Sequence, residues 1–461
     1  MVVGPGFDSN ARVTGSNQGV PALQTAVYPG PFDLHTDEQL RDNIESIVFP
    51  RIIEALTKTV TEVEGAETEP ADPKEIVFTG TVDDVNRLFT NNQWSDGLAI
   101  VPPTVKRVEE FLKYTDIPLH EEICVLSPSS QRVTPWNIAV HGVMAGCRPE
   151  YMPLLIAMVK SLSTNTGHLG STHSWIPIFE ISGPVARQLN IDHGQGLIAA
   201  PANAVIGRAL GLVVTNLVGY RLKELRMGSF GYIQPYVLSE DEESLDMIGW
   251  EPFNVEKGFD RNVSTVSMGL STILGSNAIP AVPDPDLILQ IIAYDIINKE
   301  AFGTGVIGTD RTVLMCPTTA QLIAKAGYTK ESVKTYLRKV ARKVTYTWTF
   351  SQIYGSPGHI YPPFKDQLSS NLKKAEKGKL PPWYPRFDGW EEIETTPSIG
   401  KGIDILVCGD PSRNKVQILA GSQLSAHTEI QLPENWDALM EDLGYSPLVS
   451  FYRGGHSQAK T

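Results

Sequence analysis

One cysteine of this 461-residue chain stands where a thiol could be activated. Cys147 follows Gly146 and precedes Arg148-Pro149-Glu150, inside a nearly apolar stretch that runs from Asn137 to Lys160. Gly146 permits a sharp turn, Pro149 suits a first helical position, and Glu150 favours the positive end of a helix dipole. The spacing therefore predicts a helix starting beside Cys147. A helix N-terminus and a neighbouring arginine both favour thiolate, the form that acts as nucleophile or metal ligand. Against this stands the commoner meaning of a lone cysteine near apolar residues, a small core side chain.

A nucleophilic thiol needs a base. The candidates are His168 and His173 in the glycine-rich run Thr166-Gly-His-Leu-Gly-Ser-Thr-His173, and His173 is preferred because it precedes an apolar strand. The same loop can be read as an ordinary surface loop. A metal site from His168, His173, His193 and Cys147 is an alternative, since imidazole and thiolate suit zinc or iron, but His-x4-His matches no strong metal signature. Gly194 to Arg208 leads into an apolar helix and offers Asn203 and Arg208 to an anion, or to helix capping; it is neither a dinucleotide fingerprint nor a Walker loop. Trp94 and Asp96 are candidate pocket residues, although an Asp-Gly turn explains Asp96 without function. The acidic run Glu240-Asp-Glu-Glu243 reads as a solvated loop before a cation site.

Composition narrows the class. Hydrophobic residues at 41% and charged residues at 20% fit a globular protein, and no apolar run approaches the roughly 20 residues a membrane-spanning helix needs. A net charge of −13 argues against nonspecific nucleic-acid binding, which relies on clustered cations. The basic residues from Lys330 to Lys343 read as one solvated helix face. Cys124, Cys147, Cys316 and Cys408 form no Cys-x-x-Cys pair, which fits a reducing compartment. With no basic-then-apolar leader visible at Met-Val-Val-Gly-Pro-Gly, a cytoplasmic location is expected.

These residues must be positioned by an α/β architecture, expected as a multi-layer mixed core with an N-terminal strand-helix docking segment. In residues 1–60, a strand over Leu23 to Tyr28 precedes a helix opened by the Thr36/Gln39 capping box and running to about Leu56. So short a segment cannot close a core alone, so either the rest of the chain or another subunit must cover it. Residues 61–76 read as a polar linker, 77–270 as the α/β domain carrying the Cys147 site, and 271–461 as a second α/β region. Helices are expected at Val82 to Thr90, Val105 to Tyr114, Pro285 to Lys299 behind Asp284, Thr318 to Ala326 and Thr329 to Val344. Strands are expected at Trp175 to Ile181, Thr312 to Cys316, from Ile403, and over Lys415 to Gly421, with 354–397 irregular. No internal repeat is evident.

Several motifs in one order resemble a poorly characterised bacterial family associated with UGSC-motif (seleno)proteins. They are Trp94-Ser-Asp-Gly-Leu-Ala-Ile-Val-Pro-Pro-Thr104, Val143-Met-Ala-Gly-Cys-Arg-Pro-Glu-Tyr151, Ala202-Asn-Ala-Val-Ile-Gly-Arg-Ala209, Gly249-Trp-Glu-Pro-Phe-Asn-Val-Glu-Lys-Gly258 and Ala326-Gly-Tyr-Thr-Lys-Glu-Ser-Val333. UGSC proteins resemble the selenoprotein B component of glycine reductase and carry a Cys/Sec-Gly-Ser-Cys tetrapeptide, which this chain lacks. Its first 60 residues, from Gly6-Phe through Tyr28-Pro to Ile53-Glu-Ala-Leu-Thr57, nevertheless resemble the tail of a UGSC domain. Relatives often carry Asn where His141 stands and Glu-His where Thr318-Thr319 stand.

The resemblance implies a second subunit carrying the Cys/Sec-Gly-Ser-Cys segment, a hetero-oligomer, and reductive or eliminative cleavage of a carbon-heteroatom bond in a small molecule. On that reading Cys147 is the nucleophile, His173 its acid or base and Glu150 a further catalytic candidate, and Arg148, Asn203, Arg208, Trp94, Asp96 and His168 bind substrate. The residues assign no cofactor; a partner thiol or selenol is the redox group implied. The competing expectations are a metal-dependent lyase or hydrolase with His/Cys ligands, and a noncatalytic scaffold for a UGSC-type partner.

Overall fold

The structure, a computed structural model, describes residues 1–58, 74–222, 224–229, 231–232, 234–274, 277–298, 309–344, 395–421 and 423–448. The expected linker at 61–76 lies almost wholly outside them, as does the irregular stretch 354–397 up to residue 394.

At the N-terminus, β1 (Val2–Val3) pairs in parallel with β2 (Ala26–Val27), with α1 (Asp8–Asn17) between them. The strand expected over Leu23 to Tyr28 is thus only two residues long. Thr36 and Gln39 form the capping box as expected, and they open α2 (Asp37–Asn43). The helical path continues through a π-helical turn, Ile44–Val48, into α3 (Phe49–Thr57). Only Ala26, Tyr28 and Val48 make a buried cluster here. Phe32, Leu34, Phe49, Ile53 and Leu56 are exposed, and α3 buries no residue.

The remaining chain alternates helices and strands. First come α4 (Val82–Asn91), α5 (Val105–Leu112), the hairpin β3 (Cys124–Leu126) and β4 (Gln131–Val133), α6 (Pro135–Ala145), α7 (Met152–Leu162), β5 (Ile176–Ser182), α8 (Pro184–Gln188), α9 (Pro201–Asn216) and β6 (Tyr236–Leu238). Then follow α10 (Glu242–Ile248), α11 (Phe253–Glu256), β7 (Thr265–Leu274), α12 (Pro285–Asn298), β8 (Thr309–Met315), α13 (Pro317–Lys325) and α14 (Lys330–Val340). The series ends with the pair β9 (Arg342–Val344) and β10 (Thr395–Pro397), then β11 (Ile399–Val407), β12 (Val416–Gly421), β13 (Ala426–Glu429) and α15 (Trp436–Asp442). Asp284 caps α12 as expected, its Oδ1 accepting from the N–H groups of Asp286 and Leu287. The helix expected to reach Val344 stops at Val340, where the chain turns into β9.

Seven strands form one mixed sheet in the order β11-β8-β12-β7-β5-β6, with β13 also on β7. The fold is therefore α/β, as the alternation predicts. The boundary expected at 270/271 falls inside β7, and the cores interlock across it: Ile430, Trp436 and Met440 join the cluster built by α6, α7 and α9, while Leu245 and Trp250 join the one under α12, α13 and α14. Each cluster thus draws residues from both sides of that boundary.

The topology also repeats, which no sequence pattern revealed. β5 has a parallel neighbour in β6 and an antiparallel one in β7; β8 has β11 and β12 in the same places. Each first strand leads into Pro-x-x-x-Gln-Leu, at Pro184 to Leu189 and Pro317 to Leu322. Helices cover the outer face, and a smaller inner cluster includes Ile176, Ile178, Leu238, Leu314, Leu406 and Leu419. Past β6, Asp241 N–H donates to Val407 O (2.8 Å) and Val407 N–H to Glu240 Oε1 (3.1 Å), so the two edges of the sheet meet. α7 is apolar nearly all round because it is buried nearly all round; Met152, Leu154, Met158 and Leu162 expose none of their surface, each burial contributing about 1.5–3 kcal/mol.

Candidate functional site

A cavity of about 690 Å³ brings together two of the expected site residues, Asp96 and Arg208. Its walls are the turn after α4, one face of α9, and the segment from Leu222 to Pro235 that leads into β6. Pro201 starts α9 at a position where its missing N–H costs nothing. Arg208, Gly211 and Thr215 recur at helical spacing and so share the face that lines the cavity. Gly207 lets the segment before β6 lie against the helix, since a Cβ there would stand 2.3 Å from Pro235 O.

Arg208 is a fully engaged guanidinium. Its Nε and Nη2 each donate to Asp96 at 2.9 Å, and Nη2 also reaches the carbonyls of Leu98 (3.3 Å) and Ala99 (3.0 Å). For Asp96, burial pushes the carboxyl up, but the hydrogen bonds and charge of Arg208 outweigh it and hold the group below its ordinary value. Trp94 stands next to this turn. It packs edge-on against Phe89, and Asn216 Nδ2 donates to its carbonyl at 2.9 Å.

Arg226, which sequence reasoning did not select, differs in kind. It is 9% exposed and lines the same cavity, with its guanidinium carbon 3.7 Å from the centre of the Tyr232 ring. Nε and Nη2 have no hydrogen-bond partner, and no carboxylate pairs with Arg226 among the described residues. Burial pushes it down to about 10, with the Tyr232 contact acting in the opposite direction. A buried guanidinium without a counter-ion is costly, and a bound anion would remove that cost. The signal in the sequence was slight: an arginine inside the Gly- and Tyr-containing run from Gly219 to Tyr232.

The histidine loop abuts this wall. Ser229 N–H donates to Thr172 O (2.9 Å), and Tyr232 Oη lies 3.5 Å from Ser171 O. His168 and His173 are both exposed; His168 leans on Trp175, and the His173 N–H donates to Ser171 Oγ (3.2 Å). Neither ring hydrogen-bonds to Cys147 among the described residues.

Cys147 overturns its own expectation. Gly146 closes α6, and a helical path does begin beside the cysteine as expected, as a 3₁₀ turn, Pro149–Tyr151, that runs straight into α7 at Met152. The thiol is directed away from that end, onto the backbone of α9. It is 8% exposed, its Sγ donates to Val205 O (3.3 Å) behind the cavity wall, and burial pushes it up against a smaller lowering by Arg208. With its Sγ on the α9 backbone and outside the lining of the cavity, such a thiol is a core residue, not a poised nucleophile.

Arg148 and Glu150 also act elsewhere. Arg148 Nε donates to Tyr151 Oη (2.9 Å) and Nη1 to Tyr445 Oη (2.5 Å); Tyr445 Oη in turn donates to buried Glu150 (3.2 Å), which lies 3.4 Å from Arg148. The cluster fastens the segment after α15 to the Cys147 turn. Asn203 is a buried staple: its Oδ1 accepts from Asp192 N–H, and its Nδ2 donates to Asp192 O and Val237 O. Neither Asn203 nor Glu150 is free for substrate or proton transfer. Among the described residues, no three His, Cys, Asp or Glu side chains are placed to hold a metal ion, so His168, His173, His193 and Cys147 are not gathered into a site.

The chain was compared with protein-family models, curated proteins and solved structures, and none matches it. What the fold defines is a mixed α/β protein with an arginine-lined cavity. Among the described residues no helix is long and apolar enough to cross a membrane.

Proposed function

We propose that this protein is the substrate-holding subunit of an enzyme, binding a small organic anion with a carboxylate or phosphate group in the Arg226 cavity. The observation that carries this reading is the buried guanidinium of Arg226, lining about 690 Å³ with no carboxylate against it among the described residues. The volume is that of a small-molecule site, and a planar guanidinium is the side chain best matched to those two anions. Asp96 neutralises Arg208, so Arg226 supplies the uncompensated charge.

The reactive group would come from elsewhere. No cysteine lines the cavity among the described residues, and Cys147 is sealed behind it. This suits the UGSC resemblance, in which a partner's Cys/Sec-Gly-Ser-Cys segment supplies thiol or selenol and the reaction is cleavage of a carbon-heteroatom bond. The exposed apolar residues Phe32, Leu34, Phe49, Ile53 and Leu56 offer that partner a surface, and four free cysteines suit a reducing, cytoplasmic setting.

The test is calorimetric titration of the full chain with a panel of small carboxylates and phosphate monoesters, repeated on Arg226→Gln and Arg226→Lys. At least one anion should bind, with affinity lower by roughly 10- to 100-fold in Arg226→Gln and partly retained in Arg226→Lys. No binding by any anion, or equal binding by a folded Arg226→Gln, would overturn the reading.

A further inference from the structure

A second cavity, of about 260 Å³, lies at the C-terminal ends of β8 and β11, and both Cys316 and Cys408 line it. These strands are parallel neighbours whose last paired positions are Met315 and Val407, and Cys408 N–H donates to Met315 O at 3.0 Å. The two cysteines are the next residue on each strand. Their Cα atoms are therefore about 5 Å apart, the usual spacing of neighbouring strands and a separation a disulfide can span. Strand alternation puts both side chains on the inner face with Leu314 and Leu406.

The surroundings separate their roles. Cys316 is 8% exposed and Cys408 only 2%. Gly409 (φ 97°) turns the chain after Cys408, and a Cβ there would stand 3.1 Å from Cys316 Sγ, so the glycine keeps the approach to that sulfur open. Lys415 lines the same cavity, while Arg413 is paired with Asp410. Burial pushes both thiols up; at Cys316 the backbone contact and charge of Lys415 work against that shift.

We propose that Cys316 and Cys408 form a dithiol-disulfide redox pair that exchanges with a low-molecular-weight disulfide. Cys316, as thiolate, attacks one sulfur of the disulfide RSSR; the RS–SR bond breaks, one RS⁻ leaves and a mixed disulfide forms on Cys316. Cys408 gives its proton to the departing RS⁻ and attacks Cys316 Sγ, releasing a second RS⁻, which takes the proton lost by Cys316. Two cysteine thiols are oxidised to one disulfide, and RSSR is reduced to two RSH. This site is independent of the Arg226 cavity.

The experiment is incubation of the native full chain with oxidised glutathione, alkylation of remaining thiols after denaturation, and peptide mapping. A Cys316–Cys408 linked peptide is expected in the wild type, reversed by dithiothreitol, with a stable glutathione adduct on Cys316 in Cys408→Ser. A wild type that leaves both cysteines alkylatable, or that stops at a glutathione adduct without the linked peptide, overturns the proposal whether or not the variant folds.

Discussion

Arg208 and Asp96, 112 residues apart in sequence, meet through two parallel 2.9 Å hydrogen bonds that fasten the turn after α4 to the middle of α9. The pair fixes one wall of the cavity and offsets one of the two arginine charges that line it among the described residues.

Asp96→Asn is therefore expected to act in two opposite directions. Loss of the charged hydrogen bonds should lower stability by about 1.5–3 kcal/mol in urea denaturation. Uncovering Arg208 should tighten anion binding in the calorimetric panel. The carboxyl is held below its ordinary value in the folded state, so it contributes stability above the unfolded value that is lost as pH falls through the folded one. The variant should lack that part of the acid sensitivity.

Glu180 is expected to give the reverse pH dependence. It is fully buried on β5, with Oε1 accepting from Ser182 Oγ at 2.5 Å and no partner for Oε2 among the described residues. Burial, then the charge of Glu240, raises it well above the ordinary 4.5. The folded state thus holds a proton that the unfolded chain releases, and stability falls as pH rises from about 4.5 towards the folded value. Glu180→Gln should flatten that decline and raise the melting temperature at neutral pH. An unchanged profile between pH 4 and 8 would show that Glu180 is ionised in the fold.

Cys147→Ala should leave anion binding within about twofold, and it should lower stability by about 1 kcal/mol through lost packing. In the native wild type, iodoacetamide should modify the half-buried Cys124 well before Cys147. Rapid modification of Cys147 would restore it as a nucleophile.

The contact between the two sheet edges rests on Glu240, which accepts from Lys330 Nζ (2.8 Å), Phe253 N–H (2.7 Å) and Val407 N–H (3.1 Å). Lys330→Met leaves a buried carboxylate without its cation and is expected to cost about 3–5 kcal/mol. Adding Glu240→Gln should recover part of that loss. Additivity of the two changes in denaturant melts would mean that the groups do not interact.

Gly207→Ala should distort the cavity from outside its lining, because the new methyl group would meet Pro235 O. Weakened anion binding together with lower stability is expected, and an unaltered melting temperature would show that the segment before β6 moves freely.

Local rules carried the sequence reading where the cause was local. The Thr36/Gln39 box, the Asp284 cap and the apolar composition of α7 and α9 depend on residues within one or two turns of each other, and helices formed at each of these places. Asp96 and Arg208 were also selected as residues, but their pairing needs the approach of α9 to the turn after α4, which no local signal encodes.

The sequence by itself determined the α/β alternation, the Thr36 and Asp284 caps and the strands β5, β8, β11 and β12, because hydrogen-bond periodicity and capping are properties of neighbouring residues; β6, β7 and β13 carried no local signal that was read. Only the tertiary structure decided the rest. Cys147 lost its expected activation because packing placed its Sγ against Val205 O, and desolvation outweighs the nearby Arg208. Arg226 gained its importance because folding buried it beside Tyr232 with no carboxylate paired to it among the described residues. Cys316 and Cys408, 92 positions apart, became neighbours through the parallel register of β8 and β11. Burial and long-range register depend on the whole chain at once, and those two quantities define both sites.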